Sequence, residues 1–254
     1  MAFNSVQFLL FFPIVFCCYF FCTLVIKKNI VTQTVLLIFS LFFYACWEPA
    51  YLCLILISVV ITYFSGIYME KFQSRKGLIL TVSLVSNLAI LFFFKYYNFL
   101  ADSLNWCFVS AKSDARIPGL NILLPVGISF YTFQCISYLM DIFRKRVEPV
   151  KNILNFGFYV TFFPQLVAGP IVRASAFIPQ IYKKYFLSRK QFGIAMFWIV
   201  NGMAKKIILS DYIAVNFVDR VFENPTMFTG FENLVALFGY SLQVYADFSG
   251  YTDI

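Results

Sequence analysis

The chain is written in long apolar runs divided by short polar ones. A helix that crosses a bilayer needs about 20 mostly apolar residues. Stretches that approach this length without a charged residue are Phe8–Ile26, Ile30–Trp47, Ala50–Met69, Leu78–Phe94, Leu120–Met140 and Ile153–Val172. Two shorter runs follow, Phe192–Ala204 and Leu234–Ala246. The pattern predicts spans near 8–26, 30–47, 50–69, 78–94 and 120–140, a re-entrant or broken segment over 153–172, and further helices near 192–209 and 232–248. All fall in one multi-spanning domain, residues 1–254, of all-α class: a polytopic membrane helix bundle.

The charges between the runs set an orientation, because cytoplasmic loops carry the excess of Lys and Arg. Lys27 and Lys28 follow the first run, Glu48 the second, and Glu70, Lys71, Arg75 and Lys76 the third. This alternation places the N-terminus outside and Lys95–Pro118 in an external loop. The fifth span returns to a cytoplasmic cluster of Asp141, Arg144, Lys145 and Arg146. The sixth run breaks the rhythm, being basic on both flanks (Arg144–Lys151, then Arg173, Lys183, Lys184, Arg189 and Lys190). It also contains Gly157, Pro164, Gln165, Gly169 and Pro170. Proline removes a helix donor. Broken backbone at membrane depth persists only where protein or a water-filled cavity surrounds it. Hence the expectation is a broken segment lining a cavity rather than a sixth plain span.

Composition sharpens the class. The sequence is 61% hydrophobic and 13% charged, with 34 Phe and 16 Tyr. A soluble domain is about 25% charged. The lipid bilayer is therefore the expected partner. The formal net charge is +8, yet the cations sit in short loops between apolar runs, so no nucleic-acid role is expected. The sequence has seven Cys and no His, and no two Cys are spaced CxxC, which argues against a zinc site. The first cation, Lys27, follows the first apolar run, so a basic leader region is missing and the first span is expected to remain.

Polar groups inside lipid are costly unless used, and three clusters stand out. In Leu124-Pro125-Val126-Gly127-Ile128-Ser129-Phe130-Tyr131-Thr132-Phe133-Gln134, continuing to Tyr138 and Asp141, the residues Gln134, Tyr138 and Asp141 share a helix face. The second cluster is Phe162-Phe163-Pro164-Gln165-Leu166-Val167-Ala168-Gly169-Pro170-Ile171-Val172-Arg173. The third is Gln243, Asp247, Ser249, Gly250, Tyr251 and Asp253, where Gln243 and Asp247 share a face. Interhelical hydrogen bonding alone accounts for such residues in many bundles. Lys205 and Lys206 interrupt an apolar run and read as a helix end or as snorkelling side chains.

These stretches, with Phe43-Tyr44-Ala45, Trp47-Glu48-Pro49 and Tyr51-Leu52, resemble the membrane-bound O-acyltransferase family. The likeness is to its bacterial alginate O-acetylation type and the related D-alanyl-lipoteichoic-acid transferases, and covers Gln33 to Ile254. Pro164-Gln165-Leu166-Val167-Ala168-Gly169-Pro170-Ile171-Val172-Arg173 is its most specific part. The resemblance implies an incomplete ring of helices around a thinned centre with a tunnel. It implies transfer of an acyl group to hydroxyls of an extracytoplasmic polysaccharide or cell-wall polymer at the bacterial cytoplasmic membrane. An acyl thioester or acyl carrier would be the donor substrate, with no bound cofactor. A periplasmic acyltransferase or an acyl carrier protein is the implied partner. Candidate tunnel-lining residues are Gln134, Tyr138, Asp141, Pro164, Gln165, Gly169, Pro170, Gln243, Asp247, Ser249 and Asp253.

The family's presumed general base is a histidine that follows the Asp-Phe-Ser-Gly-Tyr motif by several tens of residues. Here that motif is Asp247-Phe248-Ser249-Gly250-Tyr251, so the resemblance places the histidine beyond Ile254 and no catalytic residue carries over. The chain is therefore expected to be the front part of a longer enzyme and inactive alone. A non-catalytic membrane scaffold and a transporter-like protein are the alternative readings.

Overall fold

The computed structural model describes residues 5–47, 49–113, 115–121, 123–166, 169–183 and 187–254. Glu48, Ile122, Val167, Ala168 and Lys184, which enter the reading of the loops, the fifth span and the broken segment, lie outside them. The regular structure of the described residues is helical throughout. Among them, four helical stretches are long and apolar enough to cross a membrane: Val6–Ile26, Pro49–Lys71, Gln73–Ser110 and Arg189–Glu223. The protein is an all-α, multi-pass membrane protein. It divides into two compact units, Leu10–Val167 with Ile171–Lys183, and Lys184–Ile254 with two short stretches nearer the N-terminus.

The first unit holds α1 (Val6–Phe21), α2 (Asn29–Ala45), α3 (Leu52–Lys71), α4 (Lys76–Ser110), α5 (Ile128–Phe143), α6 (Ile153–Thr161), α7 (Phe163–Leu166) and α8 (Ala174–Ile181). Helix α3 shows the logic of its packing. Ile55, Ser58, Val59, Thr62, Tyr63, Gly66 and Met69 are buried and share one face, while Leu56, Ile57, Val60 and Phe64 are exposed. In lipid the large aliphatic side chains lose nothing by facing outward, so small and weakly polar residues take the interhelical seam. Across that seam Asn87 Nδ2 of α4 donates to Thr62 Oγ1 at 3.3 Å. The aromatic residues fill the remainder. Phe11 of α1 meets Phe39 and Phe43 of α2 and Phe163 of α7 at centroid distances of 5.9, 5.8 and 5.4 Å.

Two boundaries differ from the sequence reading, each for a physical reason. The predicted fourth span ends at Phe94, but α4 runs on to Ser110, through residues read as an external loop. Its 35 residues extend about 53 Å at 1.5 Å per residue, well beyond a hydrocarbon core of about 30 Å. No glycine or proline interrupts the sequence between Gly77 and Pro118. The polar residues that look like loop residues serve the helix instead. Asn98 donates to the Leu120 carbonyl and accepts from the Leu120 N–H, both at 2.9 Å. Asn105 does the same for Ile117, at 2.9 and 2.8 Å. These two side-chain amides stand in for a missing strand and tie the returning chain along α4.

The second difference is the fifth span, predicted over 120–140. Residues 120–127 are non-helical where described, and α5 occupies Ile128–Phe143. Pro118, Gly119, Pro125 and Gly127 keep the approach irregular. Gly127 is required where it stands: its φ is +74°, and a Cβ there would lie 2.4 Å from the Leu166 carbonyl oxygen.

The second unit contains α9 (Arg189–Ala204), two π-helical stretches (Lys205–Asp211 and Ala214–Val218), α10 (Asp219–Glu223) and α11 (Gly230–Asp253). Capping boxes open both long helices. Ser188 pairs with Gln191 at α9, and Thr229 pairs with Glu232 at α11. The Thr229 backbone N–H, then its hydroxyl, hold the Glu232 carboxyl below the ordinary carboxylate range.

Candidate functional site

The predicted broken segment is broken. Helix α6 ends at Thr161, Phe162 turns out of helix with ψ 111°, α7 makes a single turn, and residues 169–173 are non-helical before α8. In an unbroken helix the Tyr159 carbonyl would accept from the N–H of Phe163, and the Val160 carbonyl from residue 164, which is proline. The neighbouring helices make good part of the loss. Gln134 Nε2 of α5 and Gln165 Nε2 of α7 both donate to the Tyr159 carbonyl, at 2.9 and 2.7 Å. The Phe163 N–H donates instead to Ser40 Oγ of α2, at 3.4 Å. A buried backbone group left unpaired costs about 1–3 kcal/mol, and more where no water reaches it.

Tyrosine hydroxyls fix the chain on either side of the break. Tyr138 Oη accepts from the Val150 N–H at 2.9 Å, and Tyr63 Oη donates to the Lys151 carbonyl at 2.7 Å. Tyr159 Oη donates to the Val172 carbonyl at 2.9 Å. Asn152 caps α6 by accepting from the Leu154 N–H at 2.9 Å, and Asn155 of α6 hydrogen-bonds Tyr182. Gln134, Tyr138 and Asp141 are all buried along α5, as their shared face predicts. The first two polar clusters therefore converge around α6: Gln134, Tyr138 and Gln165 bind backbone at and before the break that Pro164 marks. Gly169 is buried and Pro170 exposed in the non-helical stretch.

The third cluster gains partners that the sequence reading missed. Lys205 Nζ lies 2.6 Å from Asp253 Oδ2 and 3.1 Å from Ser249 Oγ. Lys206 Nζ lies 2.6 Å from Asp247 Oδ1 and 2.7 Å from Asp211 Oδ1. Asn201 Nδ2 adds a bond to Asp253 at 3.4 Å. Lys205 stands at the C-cap of α9, and both lysines are ion-pair partners of α11. Gln243 Oε1 is buried in α11 without a hydrogen-bond partner. The available signal was a Lys-Lys pair inside an apolar run, upstream of aspartates in another. Among the described residues no group of three or more Cys, Asp or Glu is placed to hold a metal ion.

Comparison with known proteins finds relatives along the whole chain. The chain is 32% identical over 283 aligned residues to a peptidoglycan O-acetyltransferase of Helicobacter pylori, an alignment covering 100% of this chain and 53% of that protein. It is 37% identical over 227 residues to a probable alginate O-acetylase AlgI of Pseudomonas aeruginosa, with 86% of this chain and 42% of the relative covered. These relatives are members of the membrane-bound O-acyltransferase family. A more distant membrane-bound O-acyltransferase, the teichoic acid D-alanyltransferase of Bacillus subtilis, is 24% identical over 211 residues, 79% of this chain and 48% of its own length. No family profile matches the chain. The chain spans about half the length of the curated relatives it matches. The polar clusters described above lie in the portion shared with these relatives, and this chain holds no histidine.

Proposed function

We propose that this chain is part of an O-acyltransferase of the bacterial cytoplasmic membrane. It transfers an acyl group from a thioester or acyl-carrier donor to hydroxyls of an extracytoplasmic polysaccharide or cell-wall polymer. The observation that carries the reading is the similarity along the whole chain to proteins named as O-acetyl transferases of such polymers. The break that follows α6 supports the reading: its Tyr159 carbonyl accepts from Gln134 and Gln165, which lets irregular backbone persist inside a membrane protein. In this reading Gln134, Tyr138, Asp141, Pro164, Gln165, Gly169 and Pro170 belong to the tunnel wall, and Gln243, Asp247, Ser249 and Asp253 to the α11 side of the same enzyme.

Attack of a hydroxyl on a thioester carbonyl needs a group that takes the hydroxyl proton. With no histidine in the sequence, the base belongs to a segment outside these residues, and this chain alone is catalytically silent. The N-terminus faces outward, and the working partners are an acyl carrier protein on one side of the membrane or a periplasmic acyltransferase on the other. The test is transfer in vesicles by the full protein, supplied inside with labelled acetyl thioester and outside with peptidoglycan or alginate. Alkali-labile label on the polymer is expected. Its absence with every polymer and donor pair would refute the proposed activity.

A further inference from the structure

Helices α9 and α11 are apolar, yet two lysines and three aspartates meet between them and the π-helical stretch that follows α9. We propose that Lys205 and Lys206 form a two-pronged clamp that sets the register of the Asp247–Tyr251 motif against α9, and that both are positioning residues for acyl transfer. The second half of this statement rests on the function proposed above.

The geometry centres on a glycine pair. A Cβ on Gly250 would lie 2.7 Å from the Gly202 carbonyl oxygen, 3.0 Å from the Lys206 backbone nitrogen and 3.2 Å from the Lys205 Cβ. Conversely, a Cβ on Gly202 would lie 2.6 Å from the Gly250 carbonyl oxygen. The α11 backbone at Gly250 thus packs directly against the end of α9 and the start of the π-helical stretch. From that point the lysines diverge. Lys205 reaches towards the C-terminus of α11, to Ser249 and Asp253, and Lys206 reaches back to Asp247. Asp247 and Asp253 lie on opposite sides of Gly250 along the helix axis. Sliding α11 in either direction stretches one ion pair, and rotating it turns a neighbouring side chain into the space that Gly250 leaves against Gly202.

The π turn is part of the device. Lys206 and Asp211 are five residues apart, roughly 140° around an ordinary α-helix. The wider turn over Lys205–Asp211 brings them to 2.7 Å, so Lys206 is held from its own helix while it holds Asp247. Interhelical glue would need only one such contact anywhere along the pair. A clamp on both sides of one residue defines a position. That position is the part of the chain from which, on the family resemblance, the segment bearing the base departs. An error of about 1 Å there is enough to lower turnover by about 100-fold.

The decisive experiment uses the full protein with K205M, K205R and the charge swap K205D/D253K, read by acyl-transfer kinetics per folded molecule and by amide hydrogen exchange in residues 246–253. For K205M we expect turnover to fall about 10-fold or more with KM held within about twofold. Exchange in 246–253 should rise about 10-fold, and K205R and the swap should each recover most of both. If K205M does not accumulate, S249A, which removes one partner of the same lysine, should give the same split at smaller amplitude. Turnover per folded molecule equal to wild type, or turnover lost while exchange stays protected, overturns the proposal. If the wild-type protein transfers no acyl group at all, the function fails and the exchange arm alone judges the clamp. Faster exchange in K205M then supports the clamp, and unchanged exchange overturns it.

Discussion

At the scale of single residues, the fold depends on side chains that replace missing backbone partners. The Tyr159 carbonyl has two amide donors, Gln134 and Gln165. Removing one leaves the other in place, so Gln134→Leu and Gln165→Leu should each cost about 1 kcal/mol. The double variant should cost about 3 kcal/mol or more, exceeding the sum, because it alone leaves the carbonyl unpaired. Denaturant unfolding in mixed micelles measures this, and strict additivity would show that the two amides do not share one acceptor. Gly127→Ala is a second case, for the left-handed φ and the 2.4 Å approach to the Leu166 oxygen act together. Destabilisation of about 1–3 kcal/mol is expected, visible as a lower Tm in detergent.

At the scale of elements, some features were legible in the sequence and others were masked by their own chemistry. Pro164, Gly169 and Pro170 announced a break because proline and glycine act on the backbone locally. The capping boxes at Ser188–Gln191 and Thr229–Glu232 are local signatures too, although the sequence reading missed them. The extension of α4 was not legible, because Asn98, Asp102 and Asn105 look like loop residues. The two asparagines bond a returning chain whose position no helix period reveals. Asn105→Ala should free Ile117 from both of its bonds. Tryptic cleavage at the exposed Arg116 should then quicken several-fold relative to wild type; an unchanged rate would show that the pairing does not hold the chain. The Lys205 and Lys206 partners were hidden for a different reason: Ser249 and Asp253 lie 44 and 48 residues from Lys205 along the chain. Gly250→Ala should strain that junction, separating α9 and α11 or shifting the π turn, with about 1–3 kcal/mol lost.

At the scale of the whole molecule, class and family were readable because both rest on long apolar runs and a contiguous motif. Orientation rests on loop charges. On the proposed orientation, with the N-terminus outside, the far end of α4, including the exposed Cys107, would lie on the extracytoplasmic side. An impermeant maleimide added to intact cells should therefore label Cys107, and labelling only after lysis would reverse the orientation. What no pattern in these residues supplies is the base for acyl transfer, and the account stands on that point. The most direct measurement is alkali-labile acyl transfer to an extracytoplasmic polymer by this chain, alone and co-expressed with a separate polypeptide carrying the part of the Helicobacter pylori relative that this chain does not cover. The account predicts no transfer by either piece and transfer by the pair. Transfer by the 254-residue chain alone, or none by a pair that assembles in the membrane, would contradict it.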